Sequence, residues 1–204
     1  MIDLFIKGGW VMYAILGTSV LALTIIIERL IFFARNRNDD ISMIRNAEEA
    51  LKKRGHAAAL KECERYRGLI GNVFSSCLKE WPLGCERMED IVNFEGNRAV
   101  DLLEKHLRGL SVIAQTAPLL GLLGTVTGMI QAFMRIEDVG GQVNVSSLAG
   151  GIWEALLTTA FGLIVAIPAL FAYHFFETKV ERYARLIRDT GERLIALRRT
   201  ITES

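Results

Sequence analysis

Three long stretches almost free of charge constrain this chain more than any other feature. The first runs over residues 10–27 and resumes over 30–34 after Glu28 and Arg29; the others cover 109–134 and 148–176. Nearly all remaining charge falls in two blocks, residues 35–108 and 177–203. A helix needs about 20 apolar residues to cross the hydrocarbon core, and each stretch is long enough. Composition alone decides less, because a soluble domain can also reach 51% hydrophobic residues. The expected fold is all-α: an integral membrane protein with three transmembrane helices, the second and third extending into a helical cytoplasmic region. A cleaved signal peptide is a poor account of the first stretch. Its apolar run is too long, and it has neither a basic leader nor a convincing small-residue cleavage site.

Lysine and arginine set the expected orientation. Residues 1–9 hold one (Lys7) and residues 135–147 hold one (Arg135), whereas residues 35–108 hold fourteen and residues 177–204 hold seven. The expected order is a short external amphipathic segment (1–9) and a first span (10–34). A cytoplasmic helical region (35–108), a second span (109–134) and a short periplasmic loop (135–147) follow. A third span (148–176) and a cytoplasmic helical tail (177–204) complete the chain. The N-terminus is then periplasmic and the C-terminus cytoplasmic. Cys63, Cys77 and Cys85 all fall in the cytoplasmic region, where thiols stay reduced, and their spacing matches no common zinc pattern.

Within the cytoplasmic region Ile41, Ile44, Ala47 and Leu51 recur at helical spacing behind Asp39 and Asp40, which are placed to cap them. Gly55, Gly68, Pro82 and Gly84 divide the region into short pieces. From about Glu86 the pattern Met88, Ile91, Val92, Ala99, Leu102, Leu103 predicts one long helix rising into the second span. Val180, Tyr183, Ala184, Ile187, Leu194 and Leu197 predict that the third span continues into the tail.

Each helical residue advances roughly 100° around the axis, so the small residues of the second span gather within an arc of roughly 80°. They are Ala114, Ala117, Gly121, Gly124, Gly128 and Ala132, with Leu119, Leu122, Leu123, Val126, Met129, Ile130 and Phe133 opposite. Gly124 and Gly128 form a GxxxG pair, a common aid to close helix approach. In the third span Glu154, Ala155, Thr158, Thr159, Gly162, Ala166 and Ala169 share one side. Two such faces suit a narrow conduit or a tight subunit interface.

Glu154 is the sharpest single residue. A carboxylate at mid-membrane costs roughly 2.5–3.5 kcal/mol on the mildest scale. Two readings stand: a functional group on the small-residue face, or a side chain near the outer end of the span that reaches water. Thr125, Thr158 and Thr159 are either polar groups of a conduit or hydroxyls that satisfy backbone carbonyls of their own helices. Pro118 and Pro168 are either static kinks or hinges. Glu28 and Arg29 either pair with each other or reach for the cytoplasmic surface. Trp10, Tyr13 and Tyr173 have the character of interface anchors. No Ser/His/Asp set, phosphate loop or metal-spaced His/Cys cluster is evident, and His56, His106 and His174 are scattered. An enzyme, a cofactor, a metal site and a nucleic-acid surface are therefore not expected.

Residues 117–130 (APLLGLLGTVTGMI) and 151–169 (GIWEALLTTAFGLIVAIPA) resemble the two signature segments of the MotA/TolQ/ExbB proton-channel family. Three spans, rather than the four expected of the MotA branch, resemble the ExbB/TolQ branch. The resemblance implies a homopentamer in a bacterial inner membrane, using the proton motive force with a single-span partner resembling ExbD or TolR. That partner would supply an aspartate, and an envelope protein resembling TonB or TolA would receive the work. By motif position Thr125 and Thr159 match the family's pore threonines and Glu154 its intramembrane glutamate. Thr158 is a departure that adds a second hydroxyl. Gly121, Gly124, Gly128, Gly162 and Ala166 would be the small residues of the pore face. Competing readings are a structural membrane scaffold without ion conduction and a subunit of a secondary transporter. The latter is disfavoured because the three spans lack the internal repeats such folds use. Proton versus sodium use, and nutrient import versus envelope maintenance, stay open at this level.

Overall fold

The computed structural model describes residues 9–35, 40–65, 68–138 and 145–202, all of them in helices, turns and short connections. In chain order these are α1 (Gly9–Arg35), α2 (Asp40–Arg54), α3 (His56–Glu64), α4 (Leu69–Lys79), a 3₁₀ turn (Trp81–Leu83), α5 (Cys85–Glu104), α6 (Leu107–Asp138) and α7 (Val145–Thr202). Among the described residues there is no strand, and three helical stretches are long and apolar enough to cross a membrane. They match the three spans expected of an all-α membrane protein. The proposed external segment up to Lys7, the Asp39 cap and residues 139–144 of the expected loop lie outside the described residues.

The chain divides into two compact units. One contains residues 1–28 and 106–175 and so holds most of α1, all of α6 and the first half of α7. Buried Val11, Met12 and Ile15 of α1 pack with Leu120 of α6 and with Phe161 and Val165 of α7. The bulky side chains Leu119, Leu122, Val126 and Ile130 of α6 and Leu156, Ile164 and Phe171 of α7 remain exposed. An apolar outer face of this kind is what lipid or a neighbouring apolar helix requires. Pro118 and Pro168 both sit inside continuous helices.

The other unit contains residues 29–105 and 176–204. Its core joins Met43, Ala47 and Leu51 of α2, Cys63 of α3, Phe74 and Cys77 of α4 and Met88 of α5 to Ile187, Leu194 and Ile195 of α7. The last part of α7 is thus a wall of this core, which explains its helical spacing of apolar residues. Gly55 (φ 82°) and Gly84 (φ 121°) stand where α3 and α5 begin, in backbone regions that other residues enter only with strain. Arg198 ties α7 to the 3₁₀ turn by donating from Nε to the Trp81 carbonyl at 2.7 Å.

The uninterrupted helix expected from about Glu86 into the second span is corrected by the structure. Lys105 turns extended (φ −49°, ψ 132°) and His106 takes a left-handed φ of 67°, so α5 ends and α6 starts afresh. The break leaves the last carbonyls of α5 without helical donors. Arg29, only 2% exposed, supplies them: Nη1 donates to the carbonyls of Leu102 and Leu103, both at 3.1 Å. A cation at a helix C-terminus also opposes the helix dipole, and the guanidinium stacks 4.7 Å from the centre of the Phe32 ring. The neighbouring Glu28 stands instead with its Oε2 3.3 Å from His106 Nδ1.

Replacing Arg29 with Ala leaves buried carbonyls unsatisfied, at about 1–3 kcal/mol each. Arg29→Ala should therefore lower the thermal unfolding midpoint of the detergent-solubilised protein clearly, and Arg29→Lys should recover part of the loss. A midpoint unchanged in Arg29→Ala would contradict the capping role.

Burial pushes the thiols of Cys63 and Cys77 from 9.0 up to about 12, with Glu62 and Glu64 adding to the effect at Cys63. Both stay protonated in the folded chain where the unfolded chain ionises. Their contribution is therefore complete below pH 9.0 and fades as pH rises from there toward about 12. Alkaline unfolding curves should flatten in a Cys63→Ala/Cys77→Ala variant relative to the parent protein.

Candidate ion-handling site

The chemistry of the two motifs begins with how closely α6 and α7 approach. Gly121, Gly124, Gly162 and Ala166 are buried and Gly128 is half-buried. A Cβ on Gly162 would stand 2.6 Å from the Ala117 carbonyl oxygen and 3.1 Å from the Cα of Gly121. A Cβ on Gly124 would collide with the hydroxyl of Thr158. At Gly162 backbone therefore meets backbone, and at Gly124 the space is taken by the Thr158 side chain. Gly121, Gly124 and Gly162 thus spend their smallness on the contact between two helices of one chain.

That approach sets the threonines. Thr158 is 2% exposed, and its hydroxyl lies 2.7 Å from the Ala155 carbonyl, to which it donates, and 3.3 Å from that of Gly121. Thr159, half-buried, donates across the seam to the same Gly121 carbonyl at 2.9 Å. Thr125 donates to the Leu122 carbonyl of its own helix at 2.7 Å. It borders a shallow apolar groove with Val126, Met129, Ile130 and Phe133. Within one chain, Thr125 therefore does not share a recess with Glu154.

Glu154 is half-buried and opens into a polar crevice between α1, α6 and α7. Thr158 forms part of its lining, as do Thr127, Gln131 and Arg135 of α6 and the backbone end of α1 at Gly9 and Trp10. The two readings of Glu154 meet here. The carboxylate lies on the face between helices, and that face leads to Gln131 and Arg135, which are exposed. The sequence reading left out Thr127 and Gln131 as site residues and placed Arg135 in the loop, although a spacing of four residues puts the three on one face of a helix. Sorting α6 into small and bulky residues hid this third, polar stripe. The crevice offers a carboxylate, hydroxyls, an amide and a guanidinium, a set suited to holding water, protons or a small cation beside a close helix seam.

Comparison with known proteins identifies the family. The sequence profile of the MotA/TolQ/ExbB proton channel family matches residues 66–189. A putative biopolymer transport protein ExbB-like 1 of Synechocystis is 34% identical over 176 residues, covering 85% of this chain and 69% of that protein. The biopolymer transport protein ExbB of Neisseria gonorrhoeae is 34% identical over 141 residues, covering 68% of this chain and 60% of that protein. The Tol-Pal system protein TolQ of Haemophilus influenzae is 39% identical over 89 residues, covering 44% of this chain and 39% of that protein. The chain therefore matches only part of the length of each relative. With the profile spanning both helices of the seam and relatives of both names, the chain belongs to the MotA/TolQ/ExbB proton channel family, in its ExbB/TolQ branch.

Proposed function

We propose that this protein is the pentameric stator subunit of an ion-driven motor in a bacterial inner membrane. It uses the proton motive force together with a single-span partner of the ExbD/TolR kind. The work serves an envelope process such as TonB-dependent import or Tol-Pal function, received by a protein resembling TonB or TolA. The observation that carries this reading is the family match, which takes in both motifs and with them Thr125, Glu154, Thr158 and Thr159. In the proposed ring these four residues form the ion path. Gly121, Gly124, Gly128, Gly162 and Ala166 belong to the wall of that path, where they let its two helices approach. The charge asymmetry supports a periplasmic N-terminus and a cytoplasmic C-terminus. One charge crossing 100 mV releases about 2.3 kcal/mol, enough to drive small rotations of an inner helix against a smooth wall. No catalytic role is proposed.

A second reading, a scaffold without conduction, has one observation in its favour. The hydroxyls of Thr125, Thr158 and Thr159 all meet backbone carbonyls, as purely structural threonines do.

Native mass spectrometry of the solubilised protein, alone and co-expressed with a candidate single-span partner, tests the assembly. Five copies, joined by one or two copies of the partner, are expected; a monomer or dimer that takes up no partner would refute the stator. Thr159→Val then separates stator from scaffold. Loss of most ion-driven work with assembly intact is expected of the former, and retention of work of the latter.

A further inference from the structure

The polar crevice that holds Glu154 is graded from one end to the other. Gln131 and Arg135 are exposed, Thr127, Gly128 and Glu154 are half-buried, and Gly124 and Thr158 are buried. At the deep end the Thr158 hydroxyl fills the space above Gly124, and Val11 of α1, itself buried, closes the side. The recess has room of about 40 Å³. One water needs ~10–15 Å³, so it takes a file of about three. Its walls suit water. Thr127 gives its hydroxyl proton to carbonyls of its own helix, 2.9 Å to Leu123 and 3.1 Å to Gly124, and its oxygen can accept from a water. Because Ala155 packs on Gly128, Arg135 stands about six residues, or ~9 Å, outward of the level of Glu154.

From this geometry we infer that the crevice is the external inlet of the ion path, a water-filled recess that leads small cations to Glu154, and that Arg135 at its mouth sets how readily they enter. The inference rests on the proposed ion path and on the outward orientation of this end of α6. Within one chain the inlet is blind, because backbone contact between Gly121 and Gly162 closes the seam beneath Thr158. An ion that reaches Glu154 therefore leaves sideways, into the ring, and cannot leak straight through the subunit. Arg135 opposes entry by like charge. Two unit charges ~9 Å apart, in surroundings between bulk water and a protein surface, lower the local cation concentration by about 2- to 20-fold. Salt near ~1 M, with a screening length of ~3 Å, removes most of that effect.

The test uses right-side-out membrane vesicles carrying the assembled complex, with assembly checked by native mass. Flux is followed with proton- and sodium-sensitive dyes, which tell the two ions apart. Gln131→Cys in the crevice and Leu16→Cys on the exposed apolar face of α1 are treated from outside with membrane-impermeant thiosulfonates, one cationic and one anionic. The parent protein, whose three cysteines lie in the other unit, sets the background. The expected result is that Gln131→Cys reacts with both reagents and then loses most of its flux, while Leu16→Cys stays unreacted. Adding Arg135→Gln should speed the cationic reagent about 2- to 20-fold relative to the anionic one and lower the half-saturating ion concentration in proportion. Both effects should fade near ~1 M salt, and Arg135→Lys should behave as the parent. A Gln131→Cys complex that stays unreacted, or reacts with flux intact, would overturn the inlet; a flux still lost in Thr159→Val would leave the ion path standing. Equal rates for the two reagents, with and without Arg135→Gln, would overturn the role of Arg135. Unchanged flux in Thr159→Val would overturn the ion path and the inlet with it.

Discussion

Backbone contact between α6 and α7 is the constraint on which the rest of the membrane unit depends. Lipid tails are as apolar as leucine, so helices there gain little from hiding apolar surface and must be held by van der Waals contact and hydrogen bonds. At Gly162 the carbonyl oxygen of Ala117 is near enough to exclude even a methyl group. Only at that separation does a hydroxyl on α7 reach a carbonyl on α6, as Thr159 does to Gly121. The seam is thus both the adhesive and the reason polar atoms survive in the membrane. Wider packing would cost Thr159 its bond across the seam, whereas Thr125 and Thr158 would keep the carbonyls of their own helices.

The second unit solves a different problem with more ordinary means. Short helices closed by glycines and a 3₁₀ turn fold over an apolar core, and charged side chains stay outside. Among the described residues Arg29 is the exception, a buried cation whose guanidinium donates to two backbone carbonyls. A guanidinium can serve several acceptors from one rigid plane, which suits it to a severed helix end better than an ammonium group.

Much of this was legible in the sequence, and the residues show why. Span number followed from length and charge, and the α6 and α7 faces from helical periodicity, because both are local properties. Gly55 and Gly84 marked helix starts because their backbone conformations are ones glycine enters freely. The break at Lys105 and His106 was not legible, since neither residue is a helix breaker. It is stabilised by Arg29, more than seventy positions away. The polar stripe of Thr127, Gln131 and Arg135 was readable in principle, but its meaning required the knowledge that α1 and Glu154 close the same crevice. Nor did spacing tell that Gly121 and Gly162 face each other within one chain.

The contribution of α7 to the core of the second unit has a consequence for synthesis. Ile187, Leu194 and Ile195 leave the ribosome after both later spans, whereas α2 to α5 are complete by residue 104. At about 5–20 residues per second, the wait is on the order of ten seconds. Through that interval Met43, Phe74 and Met88 lack their covering helix, and the nascent chain displays an apolar surface to chaperones and proteases. Closure of that surface therefore has to wait until the third span has been made.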